Sequence, residues 1–93
     1  MDTGQAVGWF RKAAEQGDTS AAFNLGVMYA NGTGVPADPV EAYRWLSIVA
    51  ARASGDEQTR GANALKVVAA ALSPAQLDDA RARAGSWMDE HKR

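Results

Sequence analysis

Residues Ala21 to Ala51 carry two helical hydrophobic patterns separated by one short glycine-punctuated loop, and this stretch most limits what the chain can become. In the first pattern Ala22, Leu25, Gly26 and Tyr29 fall at helical spacing and form one stripe. A glycine inside a helix costs about 1 kcal/mol against alanine, so Gly26 calls for a neighbouring helix close enough to exclude a Cβ. The loop, Gly32-Thr33-Gly34-Val35-Pro36-Ala37, is non-helical by composition. Asp38-Pro39-Val40-Glu41 then reads as a strong helix start, with Asp38 as cap, Pro39 in the first turn and Glu41 placed to close a capping box. The second pattern predicts a helix to about Ala53, with Ala42, Leu46, Val49, Ala50 and Ala53 inward and Arg44, Ser47 and Arg52 outward.

The flanks continue in the same style. A helix is predicted over 4–16, with Asp2 and Gln5 as a capping box and Gly17 as its stop. Its apolar stripe is Ala6, Trp9, Phe10, Ala13 and Ala14. The helix containing Gly26 starts behind Asp18 or Thr19. After Ser54-Gly55-Asp56-Glu57, a second Ser-to-Glu box, a fourth helix is expected over 56–72, with Leu65, Val68, Ala69 and Leu72 on one side. Ser73-Pro74-Ala75-Gln76 opens a fifth, with Leu77, Ala80, Ala84, Trp87 and Met88 inward and Asp78, Asp79, Arg83 and Glu90 outward. Five helices with short connections predict an all-α antiparallel array.

The pattern Ala-x-x-Trp occurs at Ala6/Trp9, Ala42/Trp45 and Ala84/Trp87, at intervals of 45 − 9 = 36 and 87 − 45 = 42 residues. Such periods belong to helix-turn-helix solenoids. Helices two and four share Leu25 and Leu65, 65 − 25 = 40 residues apart; at that register Lys66 replaces Gly26, so the later copy reads as degraded.

Leu25-Gly26-Val27-Met28-Tyr29, Gly32-x-Gly34-Val35, Asp38, Ala42-x-x-Trp45 and Ala50 resemble the signature of Sel-one-like (Sel1-like) repeats, relatives of the tetratricopeptide repeat. Trp9 to Gly17 resembles the second helix of a preceding unit. The chain then reads as one domain over 1–93, with a half repeat at 5–17, a complete repeat at 19–53 and a degenerate closing hairpin at 56–91. The resemblance implies a short right-handed α-solenoid of about five helices whose first helices line a concave groove. It implies a protein-binding scaffold or adaptor, often in bacterial signalling, envelope or secretion contexts. The groove residues it points to are Ser20, Phe23, Asn24, Val27 and Asn31, joined on helix four by Arg60, Asn63 and Val67. The partner is a protein or peptide.

Other chemistry finds little support. The net charge is −1, without the clustered basic face that nucleic acid requires. Zero cysteines exclude disulfides and thiol catalysis and fit a cytoplasmic setting, or a periplasmic one behind an upstream signal peptide. No stretch reaches the length of a membrane span. His91, the sole histidine, reads as a solvated tail residue. The adjacent carboxylates Asp56/Glu57, Asp78/Asp79 and Asp89/Glu90 point about 100° apart on a helix and do not converge as an acid and base. Gly32 and Gly34 lack the Lys-Ser/Thr of a phosphate loop. No enzyme activity, cofactor or metal is expected. The three tryptophans read as packing between hairpins rather than as a sugar platform. Two alternatives remain: the chain is a fragment of a longer repeat array, or Val7, Trp9 and Phe10 on the first helix, which have no covering hairpin, predict a homodimer through that face.

Overall fold

The computed structural model describes residues 3–91. They form the expected all-helical array of α1 (Thr3–Glu15), α2 (Thr19–Asn31), α3 (Pro39–Arg52), α4 (Gly55–Ala70) and α5 (Pro74–Glu90). None of these helices is long and apolar enough to cross a membrane. The capping box assigned to Asp2 lies outside the described residues.

Local chemistry sets the boundaries. Gly17 turns to φ 98° and ends α1. Asp18 then accepts from the Ala21 amide at 3.1 Å and starts α2. Gly32, at φ 72°, donates its N–H to the Met28 carbonyl and closes α2 in the left-handed conformation that glycine tolerates best. Asp38 caps α3 by accepting from the Val40 and Glu41 amides, both at 3.2 Å. Glu41 does not complete that box, because its oxygens bind Arg44 at 3.1 Å and Arg83 at 3.3 Å. The Ser54 side chain makes no capping bond either, and its intended partner Glu57 is spent elsewhere. Among the described residues only the Ser73/Gln76 box forms in full, with reciprocal bonds of 3.0 and 3.2 Å.

α3 lies at the centre, packed by α2, α4 and α5. It is therefore apolar nearly all round, and Val40, Tyr43, Trp45 and Ile48 are buried beside the predicted Ala42, Leu46 and Val49. Two glycines set its distance from its neighbours. A Cβ at Gly26 would stand 2.8 Å from Leu46 Cγ, the close approach that its mid-helix position implied. A Cβ at Gly61 would stand 2.5 Å from Val49 Cγ1. The fourth helix has thus kept its packing glycine, at a spacing of 61 − 26 = 35 rather than 40. Helix caps recur within one residue of that spacing, at 54 − 18 = 36 from Asp18 to Ser54 and 73 − 38 = 35 from Asp38 to Ser73. In this register Ala80, fully buried, takes the place of Trp45, and Trp87 lies two turns farther on. Trp87 nevertheless meets Trp45 edge-on at 6.1 Å, so those two tryptophans do pack together.

α1 corrects two expectations. Its covered side is Val7, Phe10, Ala13 and Ala14, because only the stripe facing α2 is covered. Val7, expected on an open face, is 6% exposed, and Phe10 packs at the core edge, whereas Trp9 points outward at 65%. At the other end α5 packs along α3. His91 is part of that packing rather than a solvated tail. Its ring stacks on Trp87 at 3.7 Å, with Nδ1 2.8 Å from the Trp87 carbonyl and Nε2 2.9 Å from the Glu15 carbonyl.

Gly26→Ala and Gly61→Ala are each expected to lower stability by about 1–3 kcal/mol, because overpacking against fully buried Leu46 and Val49 outweighs the gain in helix propensity. Gly85→Ala on α5, where a Cβ would meet nothing within 4 Å, is expected to raise it by up to about 1 kcal/mol. Thermal unfolding of the three variants checks the sign of each.

Candidate partner-binding groove

The Asp18 cap fixes where α2 begins, and so places Ser20 and Asn24 on its exposed face one turn apart. Phe23 flanks them, half-buried against the core edge. Gly61 draws α4 onto α3 on the other side. This leaves Glu57 and Arg60, in the first turns of α4, beside the first turn of α2. The result is a cavity of about 210 Å³ lined by Ser20, Phe23, Asn24, Glu57 and Arg60. Four of the residues singled out from the sequence meet there. Val27, Asn31 and Asn63 lie farther along the same two helices, outside the cavity wall, and Val67 stands 73% exposed.

Glu57 is the wall residue that the sequence reading assigned to a different task. Its carboxylate accepts from both the Thr19 and Ser20 hydroxyls, with the Ser20 bond at 2.6 Å. Those bonds, Ser20 foremost, hold its carboxyl below the usual glutamate range, and Arg60 adds to the effect. The available signal was its place three residues after Ser54, which reads as a capping box. What decides against the box is the proximity of the α2 N-terminus, a tertiary fact. Arg60 by contrast makes no hydrogen bond or ion pair among the described residues, and neither does Asn24. The floor of the cavity thus offers an unspent guanidinium, an unspent amide and an aromatic edge. Such a set can hold an extended backbone or a carboxylate.

Two other recesses differ in character. One of about 320 Å³, lined by Gln16, Gly17, Thr19, Arg52 and His91, has its cation and its imidazole engaged: Arg52 donates to the His91 carbonyl at 2.7 Å, and both His91 ring nitrogens lie against backbone carbonyls. The other, of about 210 Å³, lies on α1 beside Trp9, Lys12, Ala13 and Gln16. Among the described residues no group of three or more His, Cys, Asp or Glu side chains is arranged to hold a metal.

Because the Glu57 carboxyl is depressed in the folded state, the stability it contributes is complete at neutral pH. That contribution is lost as pH falls through the depressed value, below the ordinary glutamate range. Glu57→Gln is therefore expected to unfold at lower temperature than wild type near pH 7. The difference should close on acidification, as read from melting curves over a pH series.

Comparison with known proteins agrees with the repeat fold. The family model described as the Sel1 repeat matches residues 2–18 and 19–54. The fold superposes with a TM-score of 0.88 and 31% identity on the crystal structure of a protective antigen from uropathogenic Escherichia coli strains, described as displaying an SLR fold. The match covers 97% of this chain and 19% of the antigen, so the chain spans about a fifth of that protein. No curated protein matches the sequence. With more than half of its residues matched by the family model and its helices superposing on an SLR fold, the chain belongs to the Sel1 repeat family.

Proposed function

We propose that this chain is a non-enzymatic interaction module that holds an extended peptide or a partner helix in the groove between α2 and α4. Sel1 repeats form protein-interaction modules, which supports the general class. The groove itself is supported by one observation: Ser20, Phe23, Asn24 and Arg60 converge on a single cavity while their side-chain polar groups, Ser20 apart, stay unspent. Phe23 supplies the apolar anchor, since aromatic side chains concentrate binding energy at interfaces. Asn24 and Arg60 supply the directional bonds that fix register, with Ser20 and Glu57 as a pre-ordered edge. Val27, Asn31 and Asn63 extend the contact toward the far ends of the two helices.

A second reading, self-association through α1, is favoured by the exposure of Trp9 on a helix whose outer side has no neighbour among the described residues.

Peptides selected from a display library against the wild-type chain test the groove. Phe23→Ala combined with Asn24→Ala is expected to weaken the selected peptides by about 10- to 100-fold while leaving the melting temperature within a few degrees. Equal affinity for wild type and the double variant would sink the assignment of the groove.

A further inference from the structure

Three of the chain's mid-helix glycines invite comparison. Gly26 and Gly61 each admit a neighbouring side chain, but a Cβ built at Gly8, midway along α1, would meet nothing within 4 Å. Gly8 therefore leaves a bare shelf on the outer surface. Lys12 lies one turn above it on the same face, and Trp9 borders it at 65% exposure. Lys12 makes no ion pair among the described residues.

The internal repeat adds a second observation. On α3, the residues facing α5 are Glu41, which pairs with Arg83, Trp45, which meets Trp87, and Arg52, which lies 5.3 Å from the Trp87 ring. At a spacing of 36 residues these correspond to Gln5 and Trp9 of α1 and to Gln16 just past its end, all exposed. The face of α1 that corresponds to a helix-covered seat on α3 is open, and its recess is the one lined by Trp9, Lys12, Ala13 and Gln16.

We infer that this seat takes the α1 helix of a second copy of the chain. The inference rests on the self-association reading above, and names its geometry. The surface is self-complementary: it offers an indole, and beside it a bare shelf topped by a lysine. A two-fold axis brings each Trp9 onto the partner copy's shelf at Gly8, under the partner copy's Lys12, and both contacts are made twice. Three rings of the chain already carry such a cation. Arg44 lies 4.4 Å from the Trp45 ring, Arg52 5.3 Å from the Trp87 ring and Arg11 5.6 Å from the Tyr29 ring. Pairing would give Trp9 the cation that the two other tryptophans find within the chain. Val7 and Phe10, turned toward the core, take no part. A contact confined to one helix face falls below the area of a stable obligate dimer, so the association is weak and concentration-dependent.

Sedimentation equilibrium of the 93-residue chain gives the first result: wild type is expected to dimerise reversibly. A monomer throughout the accessible concentration range would overturn the self-association reading itself and leave the face to some other occupant. Trp9→Ala and Lys12→Ala are each expected to weaken the dimer at least about tenfold. Mixed together, they should form a heterodimer about tenfold tighter than either alone, because one Lys12–Trp9 contact survives only in the mixed pair. Gly8→Gln is expected to raise the melting temperature, since it replaces a helix glycine, yet to abolish dimerisation by filling the shelf. A dimer that persists in Gly8→Gln, or a mixture that gains nothing over its components, would overturn this pairing while leaving self-association by another surface standing.

Discussion

α3 is held between two helices that each give up a side chain to reach it. Gly26 lets α2 close onto Leu46, and Gly61 lets α4 close onto Val49. With both contacts made, Trp45, Leu46, Ile48 and Val49 are almost wholly removed from water in a 93-residue chain. A chain this short has little apolar surface to bury, and close helix approach makes the most of it. The same two contacts place the candidate groove. Because α2 and α4 both pack on α3, their first turns come side by side, and Ser20, Asn24 and Arg60 border one cavity.

The other side of α3 is organised by aromatic and polar contacts instead of glycine. Trp45 and Trp87 meet edge-on, the usual preference of ring quadrupoles. Arg44 covers the first ring and His91 stacks on the second. Around them runs a chain of ion pairs from Glu15 through Arg44, Glu41 and Arg83 to Asp79. Surface pairs of this kind, part-buried at Glu41 and Arg44 and half-exposed at Arg83 and Asp79, add little stability individually. Their contribution here is geometric, since they link α1, α3 and α5, which are far apart in sequence. His91 extends that link by reaching the last carbonyl of α1.

Much of this was legible in the sequence because it rests on short-range chemistry. Asp18, Asp38 and Ser73 start helices where their spacing to later residues said they would. Gly17 and Gly32 end helices with the positive φ that glycine permits. The misreadings share one cause, which is that a side chain with two local uses is assigned by whatever lies opposite. Glu57 and Glu41 both sit at capping-box positions, and both turn away to partners on other helices. Leu65 matched Leu25 by letter, but the packing glycine is Gly61, and only the identity of its neighbour Val49 reveals it. Trp9 fits a helical stripe as well as Val7 does. α2 covers only one side of that stripe, and the indole is left outside.

By itself the sequence determined the helical class, the positions of the helix ends, the repeat character and the need for a close contact at Gly26. These follow from backbone preference and from spacing within one or two turns. Tertiary structure decided which of two neighbouring apolar residues is buried, where acidic side chains spend their oxygens, and which polar side chains it leaves unpaired. Those outcomes depend on the distance between helices remote in sequence, which no local pattern encodes. The groove residues Ser20, Phe23 and Asn24 were visible as a helix face. That Glu57 and Arg60 stand across from them was settled only when Gly61 brought α4 against α3.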